Sequence, residues 1–149
     1  MQVGESMIIT GASGAIPRSD RDRMENHASL YYEEIRKRDS DTEAISKNTG
    51  ISVDDIQKVK EHIFENRYNL GGPEPERFDA DYDIAVSWQR LIEGKNIQDM
   101  DIVLLNHELL ESRLMNEEGK EYGEAHREAE KEYSYIQHIK ALDLKEGIK

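Results

Sequence analysis

Residues 97–118 read IQDMDIVLLNHELLESRLMNEE, and this stretch decides the fold. At about 100° per residue its apolar side chains form no single stripe. Ile102, Leu105 and Leu109 fall on one side, Val103, Leu110 and Leu114 on a second, Leu104 and Met115 on a third. A helix that is apolar nearly all round must be enclosed by other helices, so the segment predicts an all-α core with this helix at its centre.

The flanking sequence supplies the surrounding helices. A helix is expected from Ser19 or Asp20 to about Arg38, with Met24, His27, Leu30, Tyr31 and Ile35 on its inner face. Asp41 is expected to cap a short helix ending at Asn48 and Gly50. Ser52 then opens another, striped by Val53, Ile56, Val59, Ile63 and Phe64. After the loop around Gly71, Gly72, Pro73 and Pro75, a helix from Asp79 or Asp81 carries Ile84, Ala85, Trp88, Leu91 and Ile92 as far as Gly94. Beyond Gly119 a last helix presents Tyr122, Ala125, Ala129, Tyr133 and Ile136. The sum is an irregular or orthogonal bundle of about six helices over residues 19–149, with a subdivision conceivable at residues 67–78. Residues 1–18 form a flexible N-terminal arm or linker in this reading. Their glycines at 11 and 14 lack the third glycine and the alternating strands of a dinucleotide-binding fold.

Composition narrows the function classes. The 149 residues carry a formal net charge of -12 and 35% charged residues, which repels phosphate backbones and anionic membranes. With no cysteine, a metal site must use histidine and carboxylates. No apolar stretch approaches the roughly 20 residues of a membrane-spanning helix, and no secretion signal is expected. Thr42 to Ile56 has the rhythm of a helix-turn-helix, but Asp54 and Asp55 stand where a DNA reader inserts its second helix. A structural helical corner is therefore the stronger reading.

The chemistry converges on the central helix. His107 and Glu111, four residues apart, share one face one turn apart. If residues 118 and 119 form the tip of an antiparallel hairpin, positions summing to about 237 face one another, which sets Glu111 opposite His126 and His107 near Ala129 and Glu130. A buried imidazole or carboxylate needs a partner. The trio His107, Glu111 and His126 has three readings. One is a divalent metal site, zinc for example, held by two imidazoles and a carboxylate. Another is a metal-free acid–base pair oriented by Glu111 and suited to RNA phosphodiester cleavage. The third is a hydrogen-bonded lock between two helices. His-Glu-x-x-Glu at 107–111 departs from the zinc-peptidase motif, which has a second histidine where Glu111 stands. His27 and His62 could join the cluster only if the early helices pack against the last pair.

Several blocks resemble a known family: HASLYYEEIR at 27–36, AISKNTGISVDDIQKVKEHIF at 44–64, FDADYDIAVSWQRLIEGKNIQDMD at 78–101, LNHELLE at 105–111 and YGEAH at 122–126. They are similar to a C-terminal module of phage head morphogenesis (Mu F-like minor capsid) proteins from prophages of Gram-positive bacteria. The similarity runs over about residues 10–136 and matches no defined catalytic signature. It implies a tail related to polymorphic toxin domains, an effector acting on nucleic acid. Its setting would be the cytoplasm of a bacterial host or the virion, and its partners phage head or portal proteins and an immunity protein. The alternative it implies is a non-enzymatic structural or interaction domain of phage assembly.

Overall fold

A computed structural model describes residues 16–147. Among these residues the chain is all-helical: α1 (Arg21–Lys37), α2 (Asp41–Thr49), α3 (Val53–Lys60), α4 (Tyr82–Glu93), α5 (Asp99–Asn116), α6 (Tyr122–Glu132) and α7 (Tyr135–Lys145). The helix starts follow local chemistry. Asp20, Ser52 and Asp81 each accept a hydrogen bond from the backbone N–H three residues on, satisfying a donor that the first turn leaves orphaned. Gly94 ends α4 with φ 72, a left-handed conformation that side chains disfavour.

As the apolar pattern requires, α5 is the central helix and packs against α3, α4, α6 and α7. The main core runs without interruption from α1 through α4 to Leu105 of α5, built on Tyr31, Tyr32, Ile35, Ile45, Ile56, Phe64, Trp88 and Leu91. Phe64 stands edge-on between Tyr32 and Trp88, at 4.6 and 5.1 Å between centroids, an arrangement that suits the aromatic quadrupoles. A smaller cluster of Met100, Leu104 and Tyr135 seats α7.

Leu30 and Val53, expected on inner faces, are 57% and 42% exposed, since Leu30 points away from the core face of α1 and Val53 is the first residue of α3. The structure departs from the sequence expectations in four further places, each with a local cause. The arm expected over residues 1–18 lies outside the described residues as far as residue 15. From Ile16 the chain is packed into the core, and buried Arg18 forks onto Asp83 at 2.6 and 3.0 Å and reaches Asp143 at 2.7 Å. Asp41 is not a cap. It is wholly buried, its carboxylate held by Lys60 Nζ at 2.9 Å and Trp88 Nε1 at 3.2 Å, while Ser40 takes the cap position. The expected last helix is two helices, broken at Tyr133 and Ser134, so that Tyr133 and Ile136 are 38% and 48% exposed instead of facing inward. Finally, α3 runs into a widened π-helical turn, Glu61–Glu65, closed by Asn66 N–H donating to Glu61 O at 2.7 Å.

The loop at residues 67–78 does not interrupt the core. Tyr68 and Glu76 exchange two backbone hydrogen bonds of 2.9 Å, and Phe78 is brought against His62, Tyr68 and Tyr122.

Candidate metal centre

Three elements deliver the polar cluster. α5 contributes His107, Glu108 and Glu111 from successive turns, and α6 returns along it after the short connection containing Gly119. The antiparallel register expected from that turn is the one observed, with His126 Nδ1 2.9 Å from Glu111 Oε2. The third element is the π-helical turn, which aims His62 at α5, its Nε2 2.7 Å from Glu111 Oε1. His107 Nε2 lies 3.3 Å from Glu111 Oε2. All three expected residues, His107, Glu111 and His126, therefore meet, and their ligand atoms lie within 4.8 Å of one another. His62, Glu108 and Glu111 satisfy the same criterion.

The hydrogen bonds around the cluster set the histidine tautomers. The backbone carbonyl of Tyr133 can only accept, so the contact of His107 Nδ1 with it at 3.0 Å places a proton on Nδ1. A neutral His107 then points its Nε2 lone pair at the carboxylates of Glu111 and Glu108, the latter 3.8 Å away. Such a position demands positive charge, supplied by a proton or by a metal ion. At the break between α6 and α7 the Tyr133 carbonyl accepts from the Tyr135 N–H at 3.1 Å and keeps a second lone pair for His107. On the other side, His62 Nδ1 is 2.7 Å from the Tyr68 hydroxyl, which Asn66 and Asn116 also reach at 3.1 and 3.0 Å.

Electrostatics follow the burial. Burial alone would lower the pKa of His107, but its contact with Glu111 and the charge of Glu108 reverse this and bring it up to about 9. Burial likewise disfavours the Glu111 carboxylate, and contacts with His107, His62 and His126 hold its pKa below the ordinary range. Glu108 is pushed upward, first by burial and then by the negative charge of Glu111. Among the described residues Glu108 has no hydrogen bond of its own.

The cluster opens onto a cavity of about 550 Å³, lined also by Tyr32, Phe78, Asp81, Tyr122 and Glu130. This volume is in the range of small-molecule sites. His126, 39% exposed at its side chain, is the histidine that meets solvent. Arg77 is a cation on a wall otherwise rich in carboxylates. His27 does not join the centre and instead stacks on Tyr31 and packs edge-on against Tyr82.

Sequence reasoning missed Glu108 and could place His62 only conditionally. The signal for Glu108 was its i, i+3 relation to Glu111 on a helix whose apolar residues run nearly all round. For His62 no sequence signal exists, because its approach depends on how α3 crosses α5.

No family model matches this chain, and no curated protein or solved structure matches it either.

Proposed function

We propose that the protein is a metal-dependent hydrolase of phosphodiesters, with a divalent ion held by His107 Nε2, His126 Nδ1 and a Glu111 oxygen. The observation that carries this reading is the orientation of His107. Its Nδ1–H donates to a backbone carbonyl, as the outer nitrogen of a metal-binding imidazole does, and this turns Nε2 toward Glu111, where a metal ion would take the place of the proton between them. Two imidazoles and a carboxylate leave coordination positions for water and substrate, and they suit zinc and its first-row neighbours. The cavity beside the trio gives both room.

The ion would supply a water whose pKa is lowered toward neutrality. In hydrolysis the water oxygen bonds to phosphorus and the ester P–O bond breaks. One water proton would pass to a carboxylate of the cavity wall and from there to the leaving oxygen. The metal charge is also what would let a chain of net charge -12 hold an anionic substrate. The metal-free acid–base alternative needs two histidines with nitrogens open to substrate. His107 has both nitrogens engaged, which leaves His126 alone. The resemblance to phage head morphogenesis tails supplies the setting for this proposal: an effector acting on host nucleic acid and restrained by an immunity protein.

The test is retention of Mn²⁺ or Zn²⁺ by the full chain through gel filtration, together with cleavage of RNA and DNA substrates. At least one equivalent of metal, and cleavage that a chelator stops, are expected in the wild type. Both should be lost in His107→Ala and His126→Ala proteins whose circular dichroism remains helical. Protein that retains no metal, or cleavage indifferent to both substitutions, overturns the reading.

A further inference from the structure

Both buried carboxylates of α5 face two ways. Glu111 presents Oε1 to His62 Nε2 at 2.7 Å and Oε2 to His126 Nδ1 and His107 Nε2 at 2.9 and 3.3 Å. Glu108 repeats the division, with Oε1 3.5 Å from His62 Nε2 and Oε2 3.8 Å from His107 Nε2. Both carboxylates thus lie between His62 and His107, and Glu111, whose two oxygens serve separate nitrogen donors, has the placement of a bridging ligand.

We propose that the centre is dinuclear, with a second divalent ion held by His62 Nε2, Glu108 and Glu111, and with Glu111 bridging it to the first. The proposal rests on the metal reading above and deepens it. Helical bundles assemble such pairs from inward Glu and His side chains on facing helices. A bridged pair stands ~3.5–4 Å apart, a spacing that clamps the attacking and leaving oxygens of a phosphoryl group.

Two further features support the second position. Glu108 lines the cavity without a hydrogen bond of its own among the described residues, and a cation held between it and Glu111 would offset the repulsion between the two carboxylates. His62 is wholly buried yet has an outer partner. With metal on Nε2 its proton moves to Nδ1 and is donated to the Tyr68 hydroxyl. One of the two asparagine amides then turns over to accept the hydroxyl proton. Nitrogen and carboxylate donors together select manganese, iron, cobalt or zinc over calcium, which takes oxygen ligands alone. Two divalent ions outweigh the two carboxylates that hold them, so the floor of an otherwise acidic cavity becomes attractive to a phosphate ester.

The deciding experiment titrates the metal-free full chain with Mn²⁺, with stoichiometry read by elemental analysis and coupling by low-temperature electron paramagnetic resonance. About two equivalents and an exchange-coupled spectrum are expected. His62→Gln should lower this to about one equivalent with an uncoupled six-line signal, and Glu108→Gln supplies the same readout should the His62 variant not fold. One uncoupled equivalent in the wild type, unchanged in either variant, overturns the second position and leaves the single-metal reading standing. No bound metal overturns both.

Discussion

Two buried polar networks draw on the run from α3 into its π-helical turn, one through Lys60 and the other through His62, and they differ in closure. Around Asp41 the groups are matched. Lys60 Nζ donates to Asp41 Oδ1 and to the Arg38 carbonyl at 2.9 and 2.7 Å, and Trp88 Nε1 and the Thr42 N–H complete the carboxylate's partners. One cation meets one anion there, and the network lies outside the lining of the cavity beside Glu111. Around Glu111, three imidazoles and a second carboxylate crowd one acid beside open space. The first network is complete as the chain folds. The second is balanced only when protons or cations are added.

That comparison can be broken most severely at the lock. Asp41→Ala strands a buried ammonium and should cost about 3–5 kcal/mol in urea unfolding. Combining Asp41→Leu with Lys60→Met should recover most of that loss, since removing both charges leaves neither unpaired. If Asp41→Ala is as stable as wild type, Lys60 is solvated and the network is no lock.

At the site, the largest expected effect comes from the metal. Mn²⁺ at about a hundredfold its dissociation constant adds ~2.7 kcal/mol, or roughly 5–11 °C in Tm for a domain of this size. His107→Ala should abolish that shift in calorimetry. A closed hydrogen-bonded lock predicts the reverse: no metal shift in either protein and a loss of Tm on mutation.

Smaller still is the effect of the group behind His62. Tyr68→Phe removes the hydroxyl that orients the imidazole and should weaken metal affinity about 10–100-fold by titration calorimetry while leaving the helical content unchanged. Unaltered affinity would show that His62 lies outside the metal's ligand set.

The smallest effect is expected at the helical corner. Asp54 is exposed at the start of α3, and Asp54→Asn should change unfolding free energy by less than about 0.5 kcal/mol. The acidic start of α3 also predicts no mobility shift of duplex DNA by the wild type at physiological salt. A sequence-selective shift would revive the helix-turn-helix reading.

Much of the site was legible because it is local. Four residues separate His107 from Glu111, and a short turn with Gly119 constrains α6 to return along α5, so the His126 register followed from counting. Helix existence was legible for a similar reason: Asp20, Ser52, Asp81, Gly50 and Gly94 act within one turn of their own positions. The split of the last helix was not legible, because the residues around Tyr133 and Ser134 carry no glycine or proline. The break is stabilised instead by a distant histidine on the Tyr133 carbonyl and by the seating of Tyr135 on Met100 and Leu104.

The sequence by itself determined the class of the fold, the central place of α5 and the His107, Glu111 and His126 trio, all through periodicity and short-range register. Tertiary structure alone decided that His62 arrives at the far oxygen of Glu111, that Glu108 is buried beside it, and that Asp41 is a core anchor and not a cap. The arrival of His62 depends on the angle at which α3 and its π-helical turn cross α5, and the place of Asp41 on how α2 packs against α3 and α4. That angle is set by how many side chains pack together at once, and no spacing along the chain encodes it.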